Sequence, residues 1–340
     1  MGKIYRYLLG GFFKTFLTYF GILFFFVSIV YFVRIAGYTS VLSLSFEDIF
    51  QIYFYYVPQL LMYVFPLTYF IALSISLFNF SKEGEMLVLF SLGKSPLKIV
   101  FVYFVISFLF FIFLLMNSLI LMPLSEQASD NFLKVKKVES KINLKSSEVG
   151  QKIANWNIFT AKKENNNTYL DIVLFSPNYK KSMQFILAKN AKFDSFGNKI
   201  TLSLTNGNHF IIKENEIIQT EFGKLNISNP IYKDKLENKK IFEYWLEAKH
   251  NHYRAKWLCI YVMLSFFVIA TIFAAFSIGI VNTRVQKRSI SFWIGLVVVV
   301  YYIFVFKIAD ISPLKGSIIF SILFVLITFL IFYKTILKRY

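Results

Sequence analysis

Apolar and polar positions fall into long blocks along this chain. Six blocks are apolar over a length within or close to the ~17–25 residues that a helix needs to cross a hydrocarbon layer. They lie at residues 11–33, 55–80, 97–122, 257–281, 291–308 and 317–333. The first block is too long for a signal-peptide core, and no small-residue cleavage site follows it, so we expect it to remain as a span. The pattern predicts a polytopic membrane protein.

The block between the third and fourth spans is polar and rich in lysine, and its apolar residues alternate with polar ones. A period of two predicts strands, here short ones at residues 185–187, 199–204, 210–212 and 217–222. Asn206-Gly207, between two of these, is a strong signal for a type I′ hairpin turn. Such spacing favours a sandwich or jelly-roll domain. Flanking helices are expected at residues 125–145 and 241–256.

The fold class predicted is therefore a polytopic α-helical membrane protein with six spans and an inserted β-jelly-roll-like domain. Residues 1–124 form the first three spans, residues 125–251 the β domain with its flanking helices, and residues 252–340 the last three spans. Residues 46–57 are expected to form an interfacial helix that leads into span two. Pro58 and Pro66 follow, where each removes a helix hydrogen bond and favours a kink.

A short stretch between the second and third spans carries helix signals at both ends. Ser81 is a plausible N-cap, and Glu83 and Glu85 fall where the helix dipole favours negative charge. Gly93 can supply the left-handed residue after the last turn, and Ser95-Pro96 reads as the start of another helix. The pattern predicts a helix of about three turns, with residues 82–93 forming a coupling helix.

The middle of this helix, residues 86–90, is apolar on all sides, which a fully solvated helix does not tolerate. One face can rest on the spans while the other contacts a protein, as in a docking helix. The residues expected to couple the chain to its partner are Glu83, Glu85, Met86, Leu89, Phe90 and Gly93. Gly93-Lys94-Ser95 looks like the end of a phosphate-binding loop, but Val88 occupies the position where that motif needs its first glycine.

Charge orients the chain in the membrane. Of 340 residues, 56% are hydrophobic and only 16% are charged, yet the formal net charge is +18. Lysine and arginine of the short loops fall mostly on the side of both termini and of residues 81–96, which predicts that these are cytoplasmic and that the β domain lies outside. The positive charge is explained by topology and anionic lipid, and nucleic acid is a poor explanation. Cys259 stands alone, so no intrachain disulfide can form.

Two cations stand at the outer ends of spans, where an ionisable residue suggests function. Arg34 ends the first span, and either snorkels to lipid phosphate or contacts an anionic substrate. Lys307 lies near the end of the fifth span and either contacts substrate or pairs with Asp310, three residues further on. No group of residues suggests catalysis, and His250 and His252 do not face each other on a helix. We therefore expect no catalytic residues, no metal site and no cofactor.

Local motifs along the whole chain resemble the LptF/LptG family of lipopolysaccharide export permeases. They are Arg6-Tyr7-Leu8, Val33-Arg34-Ile35-Ala36-Gly37, Phe65-Pro66-Leu67, Gly84-Glu85-Met86, Ser91-Leu92-Gly93, Tyr253-Arg254-Ala255-Lys256-Trp257 and Val281-Asn282-Thr283-Arg284. The second and last of these are more similar to LptF than to LptG. Gly84 stands where the family commonly has serine.

The resemblance implies the permease of an ABC-type exporter in the bacterial inner membrane. Its partners would be a homologous LptG-like subunit, a cytoplasmic LptB-like ATPase dimer that hydrolyses ATP, and an LptC/LptA-like periplasmic bridge. The complex would extract lipopolysaccharide laterally and pass it through the β domains. The family admits lipid between a first span and a fifth span, so Arg34 and Lys307 would flank that entrance.

Two other classes compete with an export permease. A membrane-anchored sensor or scaffold would bind a ligand with its outer β domain, but it would usually carry a cytoplasmic output domain. The longest cytoplasmic segment here is too short for one. A membrane-embedded transferase would need acidic or histidine groups gathered at a membrane face, and Glu47, Asp48 and Asp310 are too dispersed.

Overall fold

The computed structural model describes residues 2–40, 42, 44–142, 151–153, 156–164, 168–178, 182–196, 199–213, 216–229, 240–281 and 289–338. The chain forms two compact units. The helical unit comprises Met1–Tyr38, Ser45–Asp130 and Lys239–Tyr340. The sheet unit comprises Thr39–Leu44 and Asn131–Asn238.

Helices account for most of the first unit. They are α1 (Lys3–Thr39), α2 (Phe46–Lys82), α3 (Glu85–Ser91), α4 (Pro96–Met116), α5 (Met122–Ile142), α6 (Ile241–Leu246), α7 (His252–Ala270), α8 (Ile272–Gly279), α9 (Ile290–Ile311) and α10 (Pro313–Phe332). A π-helical turn joins α4 to α5, and another ends α10. In the described part of the chain, 6 helical segments are long and apolar enough to cross a membrane, which confirms the predicted class.

The centre of the helical unit is α2, packed against α7 and α8. In the most apolar stretch of α2, 67% of the residues are buried, and in that of α7, 56%. The corresponding shares are 17% for α1, 22% for α9 and 17% for α10. The first and the last two spans therefore keep most of their apolar side chains at least partly exposed, available to lipid or to another membrane protein.

Residues 46–57 do not form the separate interfacial helix that was predicted, because the helix of the second span already begins at Phe46. Ser45 caps α2 with a capping box, in which its hydroxyl accepts from the Asp48 N–H and the Asp48 carboxylate accepts from the Ser45 N–H. Residues 46–57 are thus the first turns of one continuous helix that includes Pro58 and Pro66. The Asn117 side chain donates to the Pro58 carbonyl at 2.9 Å, and so joins the third span to the second.

The helices around the fourth span are interrupted at more places than the sequence indicated. The prediction of a single helix over residues 241–256 is wrong. Helix α6 passes into a 3₁₀ turn at Glu247–Lys249, and α7 begins as a separate helix with Asn251 as its N-cap. The span itself is interrupted between α7 and α8 at Thr271, which sits at φ −90° and ψ 0°. The Thr271 hydroxyl donates to the Phe267 carbonyl at 2.7 Å, a side-chain bond that often bends helices.

The sheet unit is inserted between α5 and α6, as predicted. Its strands are β1 (Gln151–Ile153), β2 (Trp156–Glu164), β3 (Thr168–Asn178), β4 (Ser182–Phe196), β5 (Lys199–Ile212) and β6 (Ile217–Asn229). Each pairs antiparallel with its neighbour in the order β1-β2-β3-β4-β5-β6, so the described strands form one meandering sheet. They are longer than expected, and the predicted strands at 199–204 and 210–212 are parts of one strand.

Asn206-Gly207 is not a hairpin turn; it lies inside β5. Asn206 has a positive φ of 54° and Asp171, on β3, has a φ of 50°. The pairing of neighbouring strands from β3 to β6 skips one position in each ladder, and the skipped residues form a row: Asp171 on β3, Lys189 on β4, Asn206 on β5 and Gly223 on β6. On either side of this row the buried residues change phase along each strand, as on β4, where Ala188 and Ala191 are both buried. The row is therefore a kink that neighbouring strands share, with the same register on both sides, and it keeps the apolar residues on one face.

Gly207 follows this row, at a point where the neighbouring strands leave no room for a side chain. A Cβ at this position would lie 2.2 Å from the Leu187 carbonyl oxygen and 2.6 Å from the Phe222 ring. The apolar face so formed includes Ile158, Tyr169, Ile172, Leu174, Ile186, Ala188, Ala191, Leu202 and Leu204, with Phe222 and Leu225 partly buried against it. Leu202 and Leu204, which alternate along β5, are both buried on this face.

Candidate functional site

The loop between the second and third spans forms the first candidate site. Helix α3 is shorter than predicted, at 7 residues, because α2 continues through Lys82. Gly84, at φ +79°, makes the sharp turn between the two helices, a backbone conformation that glycine adopts readily. At the other end Gly93, at φ +76°, completes a Schellman motif in which the Gly93 N–H donates to Phe90 and the Lys94 N–H to Leu89.

Ser81 is not the N-cap of this helix. It lies in the last turn of α2, where its hydroxyl donates to the Val281 carbonyl at 2.6 Å and accepts from the Val281 N–H at 3.0 Å. Val281 follows α8, so one hydroxyl joins the start of the coupling loop to the end of the fourth span. The sequence offered no signal for this contact, because the two residues are 200 positions apart.

The predicted coupling residues do not all lie on the same face of α3: some are buried against the spans and others are exposed. Met86 is 1% exposed in the core of the helical unit, and Leu89 and Phe90 are half-buried against that core. Leu87 and Val88 are each 55% exposed, and Leu92 is 70% exposed. Glu83 and Gly93 are exposed, and Glu85 is half-buried. Met86, Leu89 and Phe90 thus anchor the helix, while the open apolar surface is Leu87, Val88 and Leu92.

The spacing of the anchors could have indicated this surface. Met86, Leu89 and Phe90 stand at positions i, i+3 and i+4, which share one side of a helix. Leu87 and Val88 then fall on the other side. We use the name docking face for Leu87, Val88 and Leu92 together with the acidic residues Glu83 and Glu85.

Beside the docking face, the first turns of α1 approach α3. The Tyr7 hydroxyl donates to Glu85 Oε1 at 2.8 Å. An apolar groove of about 440 Å³ runs between the two helices. It is lined by Lys3, Ile4, Tyr7, Glu83, Gly84, Glu85, Val88 and Leu89.

A second candidate site lies near the opposite end of α1, where Arg34 is about 40 Å along the helix from Tyr7 at a rise of about 1.5 Å per residue. It is a cavity of about 330 Å³ within the helical unit. Its walls are mostly aromatic and polar: Arg34, Tyr55, Tyr56, Pro58, Gln59, Met122, Ser125, Glu126, Ser129, Asp130, Tyr244, Trp245, Tyr253, Arg254, Trp257 and Tyr261.

One wall of this cavity is a network around Arg254. The Arg254 guanidinium lies 3.9 Å from the centre of the Tyr244 ring, 3.7 Å from a Glu126 oxygen and 3.9 Å from a Glu247 oxygen. The Tyr244 hydroxyl donates to Glu126 at 2.5 Å, and the Trp245 indole donates to the Leu119 carbonyl. These contacts join α5, α6 and α7 and leave the wall rigid. Arg254 belonged to a family motif, but its partners could not be read from the sequence.

Arg34 differs from Arg254 in having no acidic partner in the described part of the chain. Its guanidinium lies 5.3 Å from the centre of the Tyr56 ring, a cation–π contact. Two further polar atoms of the lining residues are buried without a hydrogen-bond partner in the structure as described: Ser129 Oγ and Trp257 Nε1. Arg34 is therefore accompanied in the lining by Trp257, whose indole N–H has no described acceptor.

Lys307 is exposed on α9 and does not line the cavity. Its predicted pairing with Asp310 is wrong, because Asp310 binds Lys256 at 2.6 Å instead. His252 also contacts the Asp310 backbone carbonyl, at 3.0 Å. The end of α9 is thus held to the start of α7, and the structure does not bring Arg34 and Lys307 together.

Six apolar helices, an inserted antiparallel sheet and a short helix between two of the spans define a polytopic membrane protein. The model of the family described as lipopolysaccharide export system permease LptF/LptG matches residues 6–339, nearly the whole chain, and the chain belongs to this family. It is a multi-pass protein of the inner membrane that serves lipopolysaccharide export. No curated protein sequence matches it.

The family match does not separate LptF from LptG, so the greater likeness to LptF stays a prediction. Of the segments that suggested it, the one that ends the first span lies in α1. The other begins at Val281, and its residues 282–284 lie outside the described residues.

Proposed function

We propose that this chain is one of two homologous permease subunits in an ATP-driven lipopolysaccharide exporter. The ATPase is a separate cytoplasmic dimer of the LptB type, and a periplasmic bridge of the LptC/LptA type receives the lipid. The observation that carries the proposal is α3, which is anchored by Met86 and leaves Leu87, Val88 and Leu92 open. An exposed apolar face of this kind marks a protein contact.

The proposed orientation follows from charge. Both termini and the docking face are cytoplasmic, because the short-loop lysines and arginines gather at that side of the membrane. The sheet is then periplasmic. The same topology puts the Arg34 cavity at the outer edge of the membrane, where a lipid of the outer leaflet presents its headgroup.

The homologous subunit is proposed to pack on the exposed spans. Few of the residues in the most apolar stretches of α1, α9 and α10 are buried, so these helices supply surface for a second subunit and for lipid. A heterodimer would place a first span beside a fifth span, which a single chain does not do here. Arg34 and Lys307 then flank the lipid entrance, from different subunits.

Lipopolysaccharide is proposed to contact Arg34 through a headgroup phosphate. A guanidinium without an acidic partner can bind a phosphate bidentately. The Trp257 indole N–H, which has no described acceptor, suits the same acceptor-rich headgroup. Lysine acts as a point charge at such a site, which suits the exposed position of Lys307.

The overall proposal is tested by purifying the tagged full chain in mild detergent from its own cells. We expect a homologous permease and an ATPase to co-purify in fixed ratio, with ATP hydrolysis lost when the ATPase is removed. A chain that purifies alone, or with a cytoplasmic signalling protein and no ATPase, would favour a membrane-anchored sensor or scaffold instead.

Removing both outer cations should impair export. Arg34→Ala with Lys307→Ala is expected to lower lipopolysaccharide release from proteoliposomes severalfold, since each basic residue near anionic lipid contributes about 1 kcal/mol. The complex should still assemble, because the docking face lies on the opposite side. The matched control, Lys249→Ala with Lys315→Ala, removes two exposed cations that do not line the cavity. If Arg34→Ala with Lys307→Ala releases lipopolysaccharide normally, Arg34 and Lys307 only anchor the spans to lipid.

The apolar face of the sheet is proposed to carry acyl chains. Photo-crosslinkers at Leu202 and Leu204, both buried on this face, should form lipopolysaccharide adducts in living cells. Asn226, exposed on β6, is the control position and should form none. If neither buried position gives an adduct while both variants still support growth, the face is a closed core.

A further inference from the structure

One side-chain hydrogen bond joins the first span to the coupling helix within the described residues. The Tyr7 hydroxyl of α1 donates to Glu85 Oε1 of α3 at 2.8 Å. In the part of the chain that the structure describes, Glu85 forms no ion pair, and Tyr7 is its one side-chain hydrogen-bond partner. A carboxylate has about four acceptor positions, so this bond orients Glu85 and leaves most of its capacity for a partner protein.

A second contact seats α1 at the same place. The Tyr7 ring packs against the ring of Phe80, with centroids 5.5 Å apart, and Phe80 lies in the last turn of α2 just before α3. One turn further along α1, a Cβ at Gly11 would lie 2.4 Å from Phe80 Cζ. Gly11 therefore provides the room that lets this ring fit against the first span. Tyr7 and Gly11 together form a socket for Phe80.

The rest of α1 is attached differently. Its other described hydrogen bonds to neighbouring helices join Ser28 to Tyr53 and Tyr38 to Tyr56, both on α2, and the Leu8 carbonyl to Tyr103 on α4. Within the described residues, none of these reaches α3. With 17% of its most apolar stretch buried, α1 lies at the edge of the described bundle and packs on it along one side, with Leu8, Phe12 and Phe16 in the core.

We infer that Tyr7 is a positioning residue that holds Glu85 for the ATPase and ties α1 to α3, so that a displacement of the coupling helix moves the first span directly. The inference rests on the proposed function, in which α3 meets the ATPase. It adds a direct mechanical link from α3 to α1 that does not involve α2. A cation of the partner that bound Glu85 would also act on the Tyr7 hydroxyl, and through it on α1.

The test uses the complete complex, purified with its own partner subunits and reconstituted in vesicles that contain lipopolysaccharide. Tyr7→Phe keeps the ring on Phe80 and removes only the hydrogen bond. We expect assembly and ATP hydrolysis within about twofold of the wild type, and lipopolysaccharide released per ATP reduced about three- to tenfold, as for loss of a charge-assisted hydrogen bond. Tyr5→Phe is the matched control, since Tyr5 forms no described side-chain hydrogen bond, and should leave this ratio unchanged.

A double-mutant cycle separates the inference from the proposed function. Glu85→Ala alone should impair coupling, and adding Tyr7→Phe should cause no further loss in lipopolysaccharide per ATP, because both variants remove the same bond. If Tyr7→Phe has the wild-type ratio, or the two losses multiply, the inference is overturned even where Glu85→Ala is defective. If Glu85→Ala itself assembles and exports normally, the proposed coupling role of α3 fails.

Discussion

Replacing Glu85 with lysine is expected to uncouple the chain from its ATPase, with export reduced at least tenfold and the spans still inserted. The carboxylate stands in the first turn of α3, where negative charge is favourable by about 0.3–1 kcal/mol. It also accepts the Tyr7 hydrogen bond. Lysine at this position repels any cation on the partner and cannot accept a hydrogen bond.

The size of the effect depends mostly on the partner contact. Truncating one member of a buried interfacial charge pair costs about 2–5 kcal/mol, and reversing its sign costs at least as much. A loss in that range weakens assembly by about 30-fold or more. Co-purification of the ATPase with the tagged chain, followed by ATP hydrolysis in vesicles, measures it.

Glu83→Lys is the matched comparison for this variant. Glu83 is exposed at the end of α2, and its carboxylate has no described side-chain partner. The same charge reversal two residues away should therefore lower coupling much less. Equal defects in both variants would point to a general electrostatic attraction, and a normal Glu85→Lys complex would remove Glu85 from the coupling surface.

Features that depend on local chemistry were predictable from the sequence. Runs of about 20 apolar residues predicted the six spans, because a helix of that length crosses the hydrocarbon layer of a membrane. Gly93 and Ser95-Pro96 marked the end of one helix and the start of the next, since left-handed backbone and a fixed φ are properties of those residues themselves. Strand alternation located the sheet for the same reason.

The wrong predictions share a different physical cause. Ser81 is a good N-cap by type, but its hydroxyl is used by Val281 from another span. Asn206-Gly207 favours positive φ, and Asn206 adopts it at a kink inside β5 rather than in a turn. At both positions the sequence correctly indicated the local preference of the residue. It did not indicate which tertiary contact or which element would use that preference. Contacts between residues far apart in sequence decide that use.

The candidate sites follow the same rule. The sequence suggested Arg34 because it is a charge at the end of an apolar span, and Glu85 because it is an acidic residue in the first turns of the loop helix. It did not indicate Tyr7, or the exposed side of α3, because those depend on how α1, α2 and α3 pack. The pairing of Asp310 with Lys256 rather than Lys307 also depends on packing, here between α7 and α9.

Gly279→Ala is expected to disturb the centre of the helical unit and, through it, the coupling loop. Gly279 ends α8 against α2, where a Cβ would lie 2.6 Å from Leu77 Cβ and 2.7 Å from the Ser74 carbonyl oxygen. Ala275 and Gly279 are both buried and form a small-xxx-small pair, the arrangement that lets membrane helices approach closely. The backbone of α2 cannot move away without disturbing the rest of the core.

The expected loss of stability is about 1–3 kcal/mol, the range for overpacking a filled core. Thermal unfolding of the complex in detergent should show a lower midpoint for Gly279→Ala. Gly295→Ala is the control, since Gly295 lies in α9 with nothing within 4 Å of an added Cβ. An unchanged midpoint for Gly279→Ala would mean that α2 and α8 are less closely packed than described.

The functional consequence follows from the position of Val281, two residues beyond Gly279. Pushing α8 away from α2 should stretch the bonds of 2.6 and 3.0 Å that Val281 forms with Ser81, at the start of the loop that carries α3. Gly279→Ala should therefore lower export per ATP as well as stability. Ser81→Ala removes the same link without overpacking, so it should reproduce the coupling defect at a near-normal unfolding midpoint. Normal export per ATP in Ser81→Ala would show that the fourth span does not steady the coupling helix.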